Sequence, residues 1–134
     1  MSYLKFFSLA APLALALLSS PVQAQTSPAE QVAAYVAQSG QPAQAARGQE
    51  FFTTKHGKEW SCSSCHTAKP TVDGKHATTG KVIGPKAPAY NPQRFTDVAK
   101  TEKWFRRNCN DVVGRECSAA EKADLLSWLI SLKS

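Results

Sequence analysis

Methionine is almost absent from this chain. Its 134 residues hold one, Met1, so no thioether side chain can reach a metal from beyond the first position. No stretch alternates apolar and polar residues convincingly enough to read as a strand. After Leu18 no apolar run approaches the ~20 residues that a membrane-spanning helix needs. Acidic residues are scarce in the middle, where residues 55–86 carry six lysines against Glu59 and Asp73 alone. No aromatic–basic recognition pattern accompanies those lysines, which argues against nucleic acid as a partner.

What is present begins with a leader. "MSYLKFF" carries one lysine and runs into the apolar "SLAAPLALALL". "PVQA" follows, with Val22 and Ala24 as small residues before a cut. This order of charged, apolar and cleavage regions predicts that residues 1–24 are removed and the chain is exported to the periplasm. Without them no membrane span is expected. The rest is one domain by length, expected as a monomer, and small enough to profit from a cofactor or crosslinks. An oxidising compartment permits disulfides, so the four cysteines could form two bridges, hold a metal, or serve otherwise. Net charge is +6, and residues 87–134 are nearly balanced with eight basic and six acidic groups. The excess in the central segment is either a solvated face or a docking surface for an acidic partner.

Four helices can be read. "TSPAEQVAAYVAQ" offers Ser27 as N-cap, Pro28 at the first helical position and Glu30 to complete a capping box. Val32, Tyr35 and Val36 form its apolar stripe, and Gly40 ends it. The second helix is predicted over roughly 42–53, with Gly48 inside it at a cost of ~1 kcal/mol relative to alanine. Such a glycine marks a close backbone approach. Residues 54–93 show little periodicity, as expected of a segment that wraps something supplying the missing core. The third helix runs from about Thr96, its cap, to Cys109, with Asp97 in the first turn. The fourth covers about 118–132, with Ser118 and Glu121 as a second capping box. Leu125, Trp128, Leu129 and Leu132 make its apolar face.

"CSSCH", Cys62 to His66, carries the chemistry. Two thiols three residues apart can form thioethers to the two vinyl groups of one porphyrin, and the adjacent histidine then lies under the iron. This predicts one covalent haem c on Cys62 and Cys65, with His66 as proximal ligand. A thioredoxin-type pair lacks the expected strand-then-helix setting. Zinc would draw in Cys109 and Cys117, whose separation of eight is too wide for a structural zinc pair. A bridge between Cys62 and Cys65 would cross-link almost nothing.

The chain resembles class I cytochromes c. "ARGQEFF", with Gly48 and Phe52, is similar to that family's first helix, and "KADLLSWLISL", with Leu125 and Trp128, to its last. The resemblance runs from about residue 43 to 133 and implies an all-α fold wrapped round one haem, first and last helices crossing near Gly48. It divides the chain into the leader 1–24, an N-terminal helix extension 25–41 and a cytochrome domain 42–134.

Most such proteins place a methionine on the sixth iron position, and here none is available. His56, His76, a lysine, Asn108 or water remain. His56 lies on the attachment side and reads as a surface residue. His76 is ten residues past His66, within reach of an extended chain at ~3.4 Å per residue, though its polar, glycine-rich surroundings suit an exposed loop. Asn108 follows Val98, Thr101 and Phe105 and precedes Val112 at helical spacing, which puts it near an apolar edge. There it could instead cap carbonyls or make a buried hydrogen bond.

A closer resemblance bears on that choice. "RFTDVAKTEKWFRRNCNDVVGRECSAAEKADLLSWL" and the N-terminal "TSPAEQVAAYVAQSGQPAQAARG" are similar to the sphaeroides haem protein family, oxygen-binding class I cytochromes c. The resemblance implies Asn108 as sixth ligand of the oxidised iron, leaving on reduction, and a disulfide between Cys109 and Cys117. The function implied is electron transfer coupled to binding of O2 or NO at the opened site. Redox chemistry on those gases is the enzyme activity it allows, with electrons from a partner cytochrome docking through an acidic face. The alternative is a simple electron carrier whose six-coordinate haem stays closed.

Overall fold

The computed structural model describes residues 25–133, so the leader expected over 1–24 lies outside the described residues. Five helices carry the structure: α1 (Pro28–Ser39), α2 (Ala45–Thr53), the single turn α3 (Ser63–His66), α4 (Val98–Val112) and α5 (Ala119–Ser131). No described helix is long and apolar enough to cross a membrane.

Both expected capping boxes form, Ser27 with Glu30 on α1 and Ser118 with Glu121 on α5. The cap of α4 differs from expectation by one residue. Asp97 accepts from the Lys100 N–H at 2.9 Å, while the Thr96 hydroxyl turns back to the Gln93 carbonyl at 3.2 Å. A strand pair was not expected, yet β1 (Gly74–Lys75) and β2 (Val82–Ile83) form an antiparallel ladder pairing Gly74 with Ile83 and Lys75 with Val82. Two residues per strand are too few to leave an alternating pattern in sequence.

α5 is the spine. α1 and α2 both pack on it, and the core joins Tyr35 of α1 and Phe52 of α2 to Leu125, Leu126, Trp128 and Leu129. Phe52 and Trp128 meet with ring centroids 4.9 Å apart. Leu126, outside the expected stripe, is fully buried, and burial of a leucine is worth roughly 1.5–3 kcal/mol. Gly48 lies against α5 as expected. A Cβ built there falls 2.0 Å from the Asp124 carbonyl oxygen.

α2 starts at Ala45, three residues later than expected, and its N-cap Gln44 makes no side-chain cap. Asp124 of α5 supplies the missing acceptor. Its buried carboxylate accepts from the Gln44 N–H at 2.6 Å and from the Arg47 guanidinium at 2.7 and 2.9 Å. A carboxylate taken from water needs such donors, and this one has three.

Candidate functional site

α3 brings the C-x-x-C-H residues together. Cys62 is its N-cap residue, so Cys65 and His66 follow at i+3 and i+4, on the same side of the turn. β1 holds the turn from outside. A Cβ on Gly74 would stand 2.0 Å from the Cys65 carbonyl oxygen and 3.0 Å from the His66 Cα, so only glycine lets the strand pass. The next residue, Thr67, has φ 64, a left-handed backbone that costs a non-glycine residue ~1–3 kcal/mol.

A cleft of about 250 Å3 opens between this turn, α4 and α5. Phe52, Leu125 and Leu129 give it apolar walls, Cys62 and His66 line it from α3, and Thr101, Phe105, Asn108 and Cys109 line it from α4. The segment before α4 contributes Arg94, Phe95 and Thr96, and Phe95 too has a left-handed φ of 59. Cys65 is not among the lining residues. Its sulfur accepts from the Ala77 N–H at 3.4 Å, beside a shallower depression bordered by Gly74, Lys75 and Val82.

The chemistry of these groups suits a haem. Burial first, and then the charges of Lys86, Arg94 and His76, push the His66 imidazole down to about 3, so it is neutral and has a lone pair to give. Its buried Nδ1 has no hydrogen-bond partner among the described residues. Burial holds the Cys62 thiol up at about 11. Lys86 lines the cleft without an ion pair among the described residues, and burial, then Arg94, pulls it down to about 8. Arg94 is clamped by donating from Nε to the Pro85 carbonyl at 2.8 Å and from Nη2 to the Gly84 carbonyl at 3.0 Å. Two cations beside an apolar cleft call for carboxylates, and a haem carries two. An apolar slot, the Cys62 thiol, a neutral imidazole and cations on the lining suit that group, and Cys65 stands three residues from Cys62 on the same turn.

Of the sixth-ligand candidates, the two other histidines lie off the cleft lining, while Asn108 and the lysines Lys86 and Lys100 are on it. His76 is outside the cleft lining, and its Nδ1 accepts from the Thr78 and Thr79 N–H groups in a turn. His56 is half-buried rather than a plain surface residue, its Nε2 bonded to the Phe51 carbonyl at 2.8 Å, and it too is away from the cleft. Asn108 lines the cleft, and its side chain has no hydrogen bond among the described residues. The capping role open to it falls to Asn110, whose Nδ2 donates to the Arg106 carbonyl at 2.7 Å. One residue past Asn108, Cys109 is disulfide-bonded to Cys117, with the Cα atoms 5.7 Å apart.

Lys86, Arg94, Phe95 and Thr101 were not among the site residues expected from sequence. Lys86 was instead read as part of a docking face; it is half-buried and lines the cleft. Only the placement of Arg94 just ahead of α4 hinted at a role, and nothing local in the sequence shows that it folds back onto Gly84 and Pro85.

Comparison with known proteins gives a family, a curated relative and three solved structures. Residues 38–129 match a family described as a domain of unknown function, DUF1924. A cytochrome c-type protein SHP of Cereibacter sphaeroides is 50% identical over an alignment 119 residues long that covers 85% of this chain and 92% of that protein. The solved structure of oxidised SHP, described as an oxygen-binding cytochrome c, superposes with a TM-score of 0.76 at 50% identity, covering 80% of this chain and 98% of that one. Oxidised cytochrome c'' from Methylophilus methylotrophus superposes with a TM-score of 0.71 at 38% identity, covering 80% and 95%. A solution structure of the same cytochrome, described in terms of haem-ligand detachment, gives 0.69 at 38% identity, covering 80% and 94%.

Proposed function

Since the chain belongs to the family of the cytochrome c-type protein SHP, within DUF1924, and is a class I cytochrome with one covalent haem c, we propose that it transfers electrons and binds a diatomic gas, O2 or NO, at a sixth iron site that opens on reduction. Haem supplies a redox-active iron with two axial positions. Cys62 and Cys65 would hold the group by thioethers, and His66 would give its neutral imidazole to the iron. Lys86 and Arg94 would receive its carboxylates.

Asn108 carries the reading. Half-buried on the cleft wall and without a hydrogen bond among the described residues, its amide is free to bind what the cleft holds. Its amide oxygen is a hard, weak ligand, better matched to ferric than to ferrous iron. Asn108 would therefore offer that oxygen to an oxidised iron and hold a reduced one less well. The oxygen binding of SHP and the haem-ligand detachment of cytochrome c'' support a site that can open. Closing the Cys109–Cys117 loop contributes roughly 2–3 kcal/mol in the chain-entropy model and limits how far the end of α4 can move.

An optical spectrum of the ferrous protein before and after carbon monoxide tests the open site. A large shift on adding the gas is expected; a low-spin ferrous spectrum unmoved by it would leave only a closed electron carrier.

The electron donor, an acidic cytochrome, docks in the periplasm on the face around Cys65. Lys75 and Val82 border the depression beside Cys65, together with Asp73, and Lys81 precedes Val82 in the chain; Lys75 and Lys81 are exposed, as is Val82. Exposed lysines on this face would steer an acidic partner. Lys81→Glu should slow reduction by an acidic donor roughly threefold at low ionic strength and little at high salt. Equal rates in stopped-flow at low salt would remove this face from the proposal.

A further inference from the structure

All but the last two residues of α1 lie outside the matched span 38–129, yet its side chains are tied to the cleft wall. Gln31, 3% exposed, donates from Nε2 to the Phe95 carbonyl at 2.8 Å. Just ahead of the helix, the Thr26 N–H donates to the Thr96 carbonyl at 3.1 Å. Phe95 and Thr96 both line the cleft. The strained Phe95 backbone is thus held by a buried amide from another element.

One turn further along α1, buried Tyr35 donates its hydroxyl to Glu102 of α4. Lys122 of α5 donates to the second Glu102 oxygen at 2.7 Å and stands over the rings of Tyr35 and Phe105, 5.4 and 5.8 Å from their centroids. Tyr35 packs edge-on against Phe105 at 6.1 Å. Burial alone would raise the Glu102 carboxyl, but the bonds from Lys122 and Tyr35 outweigh it and hold the group below the usual carboxylate range. Burial, then Glu102, raises Tyr35, so it stays a phenol and a donor. Glu102, Phe105 and Asn108 follow one another at three-residue steps along α4. The tie therefore grips α4 two turns before Asn108, and the disulfide grips it one residue after.

We propose that α1 positions the ligand helix: Tyr35 acting through Glu102, and Gln31 acting through the Phe95 carbonyl, set how closely Asn108 approaches the iron and hence the share of oxidised protein that is six-coordinate. The inference rests on Asn108 being the removable sixth ligand. It gives the N-terminal helix a role in the chemistry beyond packing.

Tyr35→Phe removes one hydroxyl and keeps the ring against Phe105, and Gln31→Leu removes the amide with little change in volume. In the haem-loaded protein each should lower the ratio of six-coordinate low-spin to high-spin ferric signal by roughly two- to fivefold, the effect of losing one hydrogen bond. Cyanide binding to the ferric protein should quicken to match, because Asn108 competes less well. A variant with a lower Tm but the wild-type spin ratio and cyanide rate would overturn the inference, since a purely structural tie moves only the first. Should either variant fail to fold, Glu102→Gln, which keeps an acceptor for Tyr35 and loses the charge, is read in the same way. Asn108→Ala is measured alongside. If it abolishes the low-spin signal while the α1 variants keep theirs, the ligand assignment stands and the positioning role falls. If it keeps the wild-type signal, both fall.

Discussion

Gly48→Ala is expected to destabilise the haem-loaded protein by about 3 kcal/mol, the upper end of what overpacking usually costs. The added methyl would stand 2.0 Å from the Asp124 carbonyl oxygen and 2.9 Å from the Leu125 backbone nitrogen. Both are backbone atoms of α5, so no side-chain rotation relieves the overlap. α2 and α5 must move apart, and that motion loosens the Asp124 bonds to Gln44 and Arg47 and opens the Phe52–Trp128 contact. It also reaches the cleft, because Phe52 comes from α2 and Leu125 and Leu129 from α5. Urea unfolding of the purified holoprotein measures the loss. An unfolding midpoint equal to wild type would mean that the helices are not held as close as described.

Replacing Cys62 and Cys65 together with alanine is expected to remove covalently held haem completely. The cleft, His66 and the Lys86–Arg94 pair would remain, so haem could still be taken up, but acidified organic solvent would extract it. Wild-type protein should keep its haem under the same treatment. Pigment in the double variant that resists extraction would refute thioether attachment through these two residues. An intact-mass measurement on wild type reads the leader, since cleavage after Ala24 leaves a chain that starts at Gln25.

How far the sequence carried depends on the range of each interaction. The caps of α1 and α5 were legible because acceptor and donor lie within one turn. The cap of α4 was misread by one residue, since Thr96 and Asp97 both offer a side-chain oxygen and the carboxylate is the stronger acceptor. The start of α2 was misplaced because its cap comes from Asp124, eighty residues away. On α5 one apolar stripe was expected, yet α1 and α2 cover the helix from two sides and bury Ala123 and Leu126 as well. Val98 was assigned to the stripe of α4 but is 51% exposed in its first turn. Within the site, Cys62, His66 and Asn108 all line the cleft, as local spacing and family resemblance implied. Lys86, Arg94 and the Phe95 wall could not be anticipated, because their role depends on where a loop without periodicity returns to the core.

The carboxylate of Asp124 has a kinetic consequence. α2 has no N-terminal cap of its own, and a nine-residue helix is marginal without tertiary support. Its cap arrives only when α5 docks, in a contact that closes a loop of eighty residues. Closing so long a loop costs entropy before any contact repays it, which slows folding. Cys62, Cys65 and His66 all sit inside that loop. The attachment segment therefore belongs to the part of the chain that is closed late, by the same contact that caps α2.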